Sequence, residues 1–222
     1  MLDGYAVLLD KKQIKTPEGQ PIRIPPANKT LAYLVAGEWE SQREALRTHS
    51  LPLTSMICRA QESLIKSEER EKVIESLLAY FRTDSVCLHE SHPDILVEMQ
   101  EKYWQPLIRW AESEFGIKVV TADNIFIMRQ PQESVDKLRE VARGFSPLEL
   151  AAFEKAVMTS KSFLIGLAIV KRHMSSKDAA IAARVEALSQ IKYWGELVNA
   201  HDLDEAEMNK YLGAAACLVI SI

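Results

Sequence analysis

The sequence has no apolar run approaching the roughly 20 residues needed to span a bilayer. Its most apolar stretch, Ala214-Ala215-Ala216-Cys217-Leu218-Val219-Ile220-Ser221-Ile222, is too short and reads as a packed final helical turn or strand; membrane insertion is not expected. Cysteine is scarce. Cys58, Cys87 and Cys217 are far apart and form no CxxC pair, so they read as reduced thiols of a non-secreted protein. Positive charge shows no excess: 27 Lys plus Arg stand against 31 Asp plus Glu, a net charge of −4. With no Lys/Arg cluster, the basic face usual for nucleic-acid binding is missing. No Gly-x-Ser-x-Gly elbow, P-loop or dinucleotide fingerprint occurs, and there is no internal repeat or low-complexity segment. Met1 passes directly into Leu2-Asp3-Gly4-Tyr5-Ala6-Val7, which already reads as structure rather than as a targeting segment. The sequon Asn28-Lys29-Thr30, with no signal peptide before it, reads as a surface turn.

What is present suits one large domain or two small ones: 222 residues, 47% apolar and 26% charged, enough for a real core. The first fifty residues read as strands. Tyr5-Ala6-Val7-Leu8-Leu9 and Pro21-Ile22-Arg23-Ile24-Pro25 flank the turn signal Thr16-Pro17-Glu18-Gly19. Two short strands cannot stand alone, so more sheet or a helix must cover them. Helical spacing then takes over. It predicts a helix over 29–46 with Asn28 as its cap, an ambiguous segment at 53–65, and a helix over 69–81. A helix over 94–115 is expected to bend or split at Pro106, with Gly116 as its C-cap.

Ile117-Lys118-Val119-Val120 and Ile125-Phe126-Ile127-Met128 predict strand, turn and strand, either joining the N-terminal sheet or forming a hairpin against the helices. A helix over 132–142 follows. Ser146-Pro147-Leu148-Glu149 combines a capping serine, proline at the first helical position and glutamate at the third. The helix it starts runs to 160. The next, over 162–173, is apolar on nearly every side and is expected to be central and buried, with Gly166 either permitting close packing or tolerated at a cost. Ser175 or Ser176 opens a last long helix to about 199, and a further one begins at 204. The fold class is therefore α+β, with a β-rich N-terminal domain at 1–55 and a mainly helical domain at 56–222.

Chemistry finds little support. His89-Glu90-Ser91-His92 offers two imidazoles and a carboxylate, but zinc needs three or four converging ligands; His49, Cys58 or Cys87 would have to complete the set, and solvated loop histidines are expected instead. His201-Asp202 near Glu196 lies in a polar, acidic connection. Cys58 and Cys87 read as buried, inert thiols, and Thr83-Asp84-Ser85 as a turn or cap. The most informative segment runs from Arg184 to Glu196. Glu186, Gln190 and Trp194 succeed one another at four-residue spacing and so share a helix face. Such a face is either a buried polar knot between helices or an exposed docking patch with an aromatic anchor.

Several blocks occur in a specific order: Leu9-Asp10-Lys11-Lys12-Gln13-Ile14-Lys15-Thr16-Pro17; Ala36-Gly37-Glu38-Trp39-Glu40-Ser41-Gln42; Met56 within Pro52-Leu53-Thr54-Ser55-Met56; Tyr80-Phe81-Arg82-Thr83-Asp84-Ser85-Val86-Cys87; 100–111 with Trp104, Pro106 and Trp110; and Arg184-Val185-Glu186 through Trp194-Gly195-Glu196. In these the chain resembles, over nearly its whole length, the ATP12 family of assembly chaperones for the F1 sector of ATP synthase. The resemblance implies a small β-rich domain before a larger helical one. It also implies a cofactor-free, non-enzymatic function: binding the unassembled F1 α subunit until the β subunit displaces the chaperone.

The motif residues it carries over are Glu38, Trp39, Gln42, Asp84, Trp104, Trp110, Glu186, Gln190, Trp194, Gly195 and Glu196. Of these, Glu186, Gln190, Trp194 and Glu196 are the client-binding candidates, with Glu186 and Glu196 as acidic contacts; Trp39, Trp104 and Trp110 are expected to hold the fold. The form Trp194 to Asp202 looks closer to eukaryotic members. That implies the mitochondrial matrix, with the presequence absent from this chain, against the cytoplasm of bacterial relatives. A monomer is expected. Two departures stand out: relatives often have Leu-Asp-Gly-Arg at Leu9-Asp10-Lys11-Lys12, and many bacterial ones have Gly-Ser-Leu at Lys161-Ser162-Phe163. The second is expected to alter a helix–helix contact. The competing readings are a small hydrolase using Cys87, His89 and His92, or Glu196 and His201, and a helical scaffold with another client.

Overall fold

The computed structural model describes residues 4–43, 45–195 and 202–220. Its N-terminal part is a small antiparallel meander. Strands β1 (Leu8–Leu9) and β2 (Lys12–Gln13) pair across a tight turn, and bridges Tyr5 to Ile24 and Lys15 to Pro21 extend the pairing. Val7, Ile14, Ile22 and Ile24 point inward and are buried. Cover comes from α2 (Pro52–Glu62): Gln61 bonds both the N–H and the carbonyl of Arg23, and the Glu62 carboxylate accepts from the Glu18 N–H at 2.8 Å.

Helix α1 (Lys29–Glu40) stops short of the predicted 46 because side chains take over its last carbonyls. Ser41 Oγ and Gln42 Nε2 both donate to the Glu38 carbonyl, at 2.7 and 3.1 Å. Asn28 does not cap this helix; its amide donates to the Ile220 carbonyl at 2.9 Å, tying the start of α1 to the segment after Leu218. The ambiguous segment after 52 is helical, and the boundary at residue 55 falls inside α2. Helix α3 (Ser67–Arg82) follows.

Helices α4 (Asp94–Met99) and α5 (Gln105–Phe115) are joined by a wider π turn at Gln100–Trp104. That turn admits Pro106, which has no N–H to give. Gly116 closes α5 in the left-handed conformation, as predicted. The predicted hairpin at 117–128 is not formed. Its backbone is satisfied by side chains instead: Ser134 Oγ accepts from the Lys118 N–H and donates to its carbonyl, Gln130 does the same for Val120, and Glu112 accepts from the Val119 N–H. Residues 125–127 form a turn in which Asn124 Oδ1 accepts from the Phe126 N–H. Ala122 forms an isolated parallel bridge with Leu88.

Helices α6 (Gln132–Arg143) and α7 (Pro147–Ser160) come next, α7 opening with the predicted capping box of Ser146 and Glu149. Helix α8 (Phe163–Val170) has all eight residues buried. It lies against α7 where a Cβ on Gly166 would fall 2.5 Å from Val157 Cγ2 and 3.0 Å from the Val157 nitrogen. Close approach, rather than tolerance, explains that glycine. The predicted last long helix is two, α9 (Ser176–Ala183) and α10 (Val185–Trp194), broken at Arg184, whose backbone leaves the helical region. Helix α11 (Asp202–Leu218) covers α7 and α9. A contiguous set of buried apolar side chains runs from Val7 to Val219.

The two departures from the family pattern have a backbone meaning. Lys11 and Lys161 both sit at positive φ, +66° and +59°, where glycine would be unstrained. Lys161 ends α7 as its left-handed residue, so the lost glycine is a matter of backbone conformation rather than of a helix–helix contact. Restoring glycine at either position should stabilise the fold by up to about 1 kcal/mol, read as a rise in the denaturant midpoint. Gly166→Ala should instead destabilise by about 1–3 kcal/mol through overpacking against Val157, measured the same way.

Candidate functional site

Two joints set the geometry of this molecule before any exposed site is reached. At the first, the Glu38 carboxylate on α1 accepts from the Leu53 and Thr54 N–H groups at 2.6 and 2.9 Å and from Thr54 Oγ1 at 2.8 Å. It caps a helix whose own preceding residue, Leu51, has no capping side chain; an anion is favoured at that end. Burial pushes the Glu38 carboxyl above its ordinary range, against those three bonds. Trp39 Nε1 donates to the same Thr54 hydroxyl at 3.0 Å, and Gln42 ties Arg47 and Ser50 to the end of α1.

At the second joint, Asp84 is fully buried. Its carboxylate accepts from the Val86 N–H at 3.1 Å and, at the start of α8, from the Leu164 N–H at 3.0 Å. Burial raises its pKa to about 6 despite these donors. Trp104 is also buried, its indole donating to the Ala182 carbonyl at 2.8 Å, a group released where α9 ends. Trp110 is half-buried, stacked on His173 with centroids 4.3 Å apart.

The face carrying Glu186, Gln190 and Trp194 on α10 is solvent-exposed, not a buried knot. Val185 and Ser189 face the core. Trp194 is 80% exposed, and Tyr193 packs edge-on against it with centroids 4.8 Å apart. The helix is anchored at its start. The guanidinium of Arg184, nearly buried, meets the Glu205 carboxylate of α11 at 2.6 Å. Gly195 ends the helix at φ +88°, its N–H donating to the Ile191 carbonyl. Glu196 and His201 lie outside the described residues.

Beside α10 runs an open groove of about 660 Å³, its opposite wall formed by Leu88, Glu90, His92 and Pro93. Residue spacing did not bring these together with α10; the His89–His92 stretch stood out only as a weak metal motif. Glu186 also lines a second groove, of about 560 Å³, with Lys155, Met158, Met208 and Tyr211. It therefore stands on the ridge between the two. A further feature missed by the strand reading is the 125–127 turn, which exposes Ile125, Ile127 and, at 82%, Phe126.

The hydrolase arrangement is not assembled among the described residues. His89 Nε2 lies 3.0 Å from the Val86 carbonyl, and burial holds its pKa below the ordinary value. Burial, helped by Asp84, pushes the Cys87 thiol well above its usual range, and burial with nearby Glu62 takes Cys58 to about 11. These are environments of unreactive thiols. No group of three or more potential metal ligands converges among the described residues, and no described helix is long and apolar enough to cross a membrane.

Residues 1–112 match the family described as ATP12 chaperone protein. A relative named "Protein atp12, mitochondrial" in Schizosaccharomyces pombe is 30% identical over 220 residues, 96% of this chain and 76% of that one. The chain belongs to the ATP12 chaperone family. The Saccharomyces cerevisiae protein named "Protein ATP12, mitochondrial" is 29% identical, covering 95% of this chain and 77% of its own length. The crystal structure of Atp12 from Paracoccus denitrificans superposes with a TM-score of 0.83 at 28% identity, covering 97% of this chain and 91% of that one. The α+β architecture described above is thus the architecture of ATP12, and the chain is a chaperone of that family.

Arg184 is expected to position α10 in this ATP12 chain. Arg184→Gln should cost about 1–2 kcal/mol of stability, and hydrogen exchange should quicken in the 185–194 amides more than in α8. Equal protection of α10 in the variant would remove Arg184 from that role.

Proposed function

We propose that this ATP12 chaperone assists ATP synthase assembly by binding the unassembled α subunit of F1-ATPase and shielding it until the β subunit takes its place. The observation that carries the reading is the exposed face of α10, with the Trp194 indole 80% open to solvent beside Glu186 and Gln190. A large aromatic is costly to leave in water and is a frequent anchor of protein interfaces. Carboxylates at its side supply orientation and select a partner of opposite charge. The exposed Ile125-Phe126-Ile127 turn adds apolar surface of the kind a chaperone offers an unassembled subunit.

Glu186, Gln190 and Trp194 are the client contacts in this reading, with Glu196 as their continuation; Glu38, Trp39, Gln42, Asp84, Trp104, Trp110 and Gly195 hold the frame. The chain acts as a monomer, by binding alone, with no cofactor and no catalytic step. It works in the mitochondrial matrix, in keeping with the names of its fungal relatives; the alternative is the bacterial cytoplasm, in keeping with Paracoccus Atp12.

The test is co-purification and titration with isolated F1 α subunit, with light scattering to give the stoichiometry. Wild type should form a 1:1 complex. Trp194→Ala should weaken it by about 30-fold or more, the loss expected of an interface anchor, and Glu186→Lys by about tenfold, both without loss of helicity. A complex indifferent to both substitutions would move the contact off α10, and no wild-type complex would remove the α subunit as the client.

A further inference from the structure

The groove between α10 and the 88–96 segment has a chemistry of its own. Two exposed carboxylates line it, Glu186 on α10 and Glu90 on the facing wall, and no lysine or arginine does. Neither carboxylate has a basic partner among the described residues. Some surface carboxylates elsewhere are paired, as in Arg143 with Glu71 and Glu140 or Lys72 with Glu68 and Glu69, and others, Glu98 among them, are in no ion pair among the described residues; what sets the groove apart is that two carboxylates line opposite walls of one apolar-floored groove. Negative charge thus dominates the lining of this groove, the lysines and arginine nearest Glu186 (Lys155, Lys161 and Arg184) lining the second groove across the ridge.

The wall carrying Glu90 is held from behind. Gln100, itself buried, accepts from the Glu90 N–H at 2.9 Å and donates to the Glu90 carbonyl at 3.0 Å. With its backbone so occupied, Glu90 meets a partner through its side chain. At the end of the groove stands Trp194. Tyr193 packs edge-on against it at 74°, leaving indole surface open. Leu88 and Leu96 complete an apolar floor.

A cation flanked by apolar surface fits this lining. Between the two basic side chains, arginine is favoured over lysine. Its planar guanidinium offers a fork of donors that can serve two carboxylates at once, and its face stacks on an indole while remaining weakly hydrated. We propose that this groove receives an arginine-bearing segment of the client, its guanidinium held between Glu90 and Glu186 and stacked on Trp194. The identity of the client rests on the F1 α reading above; the groove adds Glu90 as a specificity residue and fixes the chemistry of what it recognises.

Arginine footprinting with p-hydroxyphenylglyoxal tests this on isolated F1 α subunit, alone and mixed with wild type, Glu90→Gln or Glu98→Gln. Glu98 is an exposed carboxylate of α4 outside the groove and controls for the loss of one charge. Wild type and Glu98→Gln should protect at least one client arginine. Glu90→Gln should bind up to about fivefold more weakly, the scale of an exposed charge pair, with a shallower salt dependence and that arginine reactive again in the complex. A complex in which no client arginine is protected, or in which Glu90→Gln protects as well as wild type, overturns the groove alone. So does an equal loss with Glu98→Gln. Absence of any wild-type complex overturns the groove together with the reading on which it rests.

Discussion

Helix α8 has no face that can meet water, and the rest of the molecule is arranged to keep water from it. A helix apolar all round must be covered on every side, and here α7, α3, α5, α9 and α11 share that task. The closest of these contacts is possible only because position 166 lacks a side chain. A buried helix also leaves its first N–H groups without solvent. Ser162 takes that of Ile165, and Asp84 reaches across from the end of α3 to take that of Leu164. The same carboxylate organises the turn at Val86 and Cys87, from which the chain emerges as the wall carrying Leu88 and Glu90. The core thus sets one side of the groove directly.

The other side is set by a break. Had the chain continued as one helix through Arg184, the following residues would have followed the axis of α9. Instead the Trp104 indole takes the carbonyl freed at Ala182, and Arg184 turns inward toward Glu205. Helix α10 then runs with Ser189 inward and Glu186, Gln190 and Trp194 outward. Buried polar groups fix direction, and the exposed ones stay in contact with solvent. The thiols follow the same division: Cys58 and Cys87 are packed away with raised pKa values rather than offered as nucleophiles.

Periodicity made the helices legible wherever burial followed one face, and local chemistry made their ends legible where the cap is local, as at Ser146 with Glu149 and at Gly116. It failed where a cap comes from far away. Nothing near Pro52 announces that Glu38 will serve as the cap of α2, and nothing near Asn28 announces a bond to Ile220. The hairpin predicted at 117–128 failed for two reasons: at 117–120 the buried apolar residues mark burial, not a partner strand, and side chains supply the partners, while the apolar run Ile125-Phe126-Ile127 is an exposed turn. On the candidate face, spacing showed that Glu186, Gln190 and Trp194 share a stripe but not which way it points. Only the inward turn of Arg184 decides that, and Glu90 joins the face through tertiary structure alone.

Three glutamines, Gln61, Gln100 and Gln130, each engage both the N–H and the carbonyl of one extended residue: Arg23, Glu90 and Val120. A side-chain amide has the donor and acceptor of a peptide group, so each imitates a single residue of a neighbouring strand. An imitation one residue long cannot be prolonged. At Arg23, Glu90 and Val120 the peptide groups are therefore already taken, and a foreign strand cannot pair with them. Whatever approaches these three residues finds side chains to contact and no free peptide group to pair with.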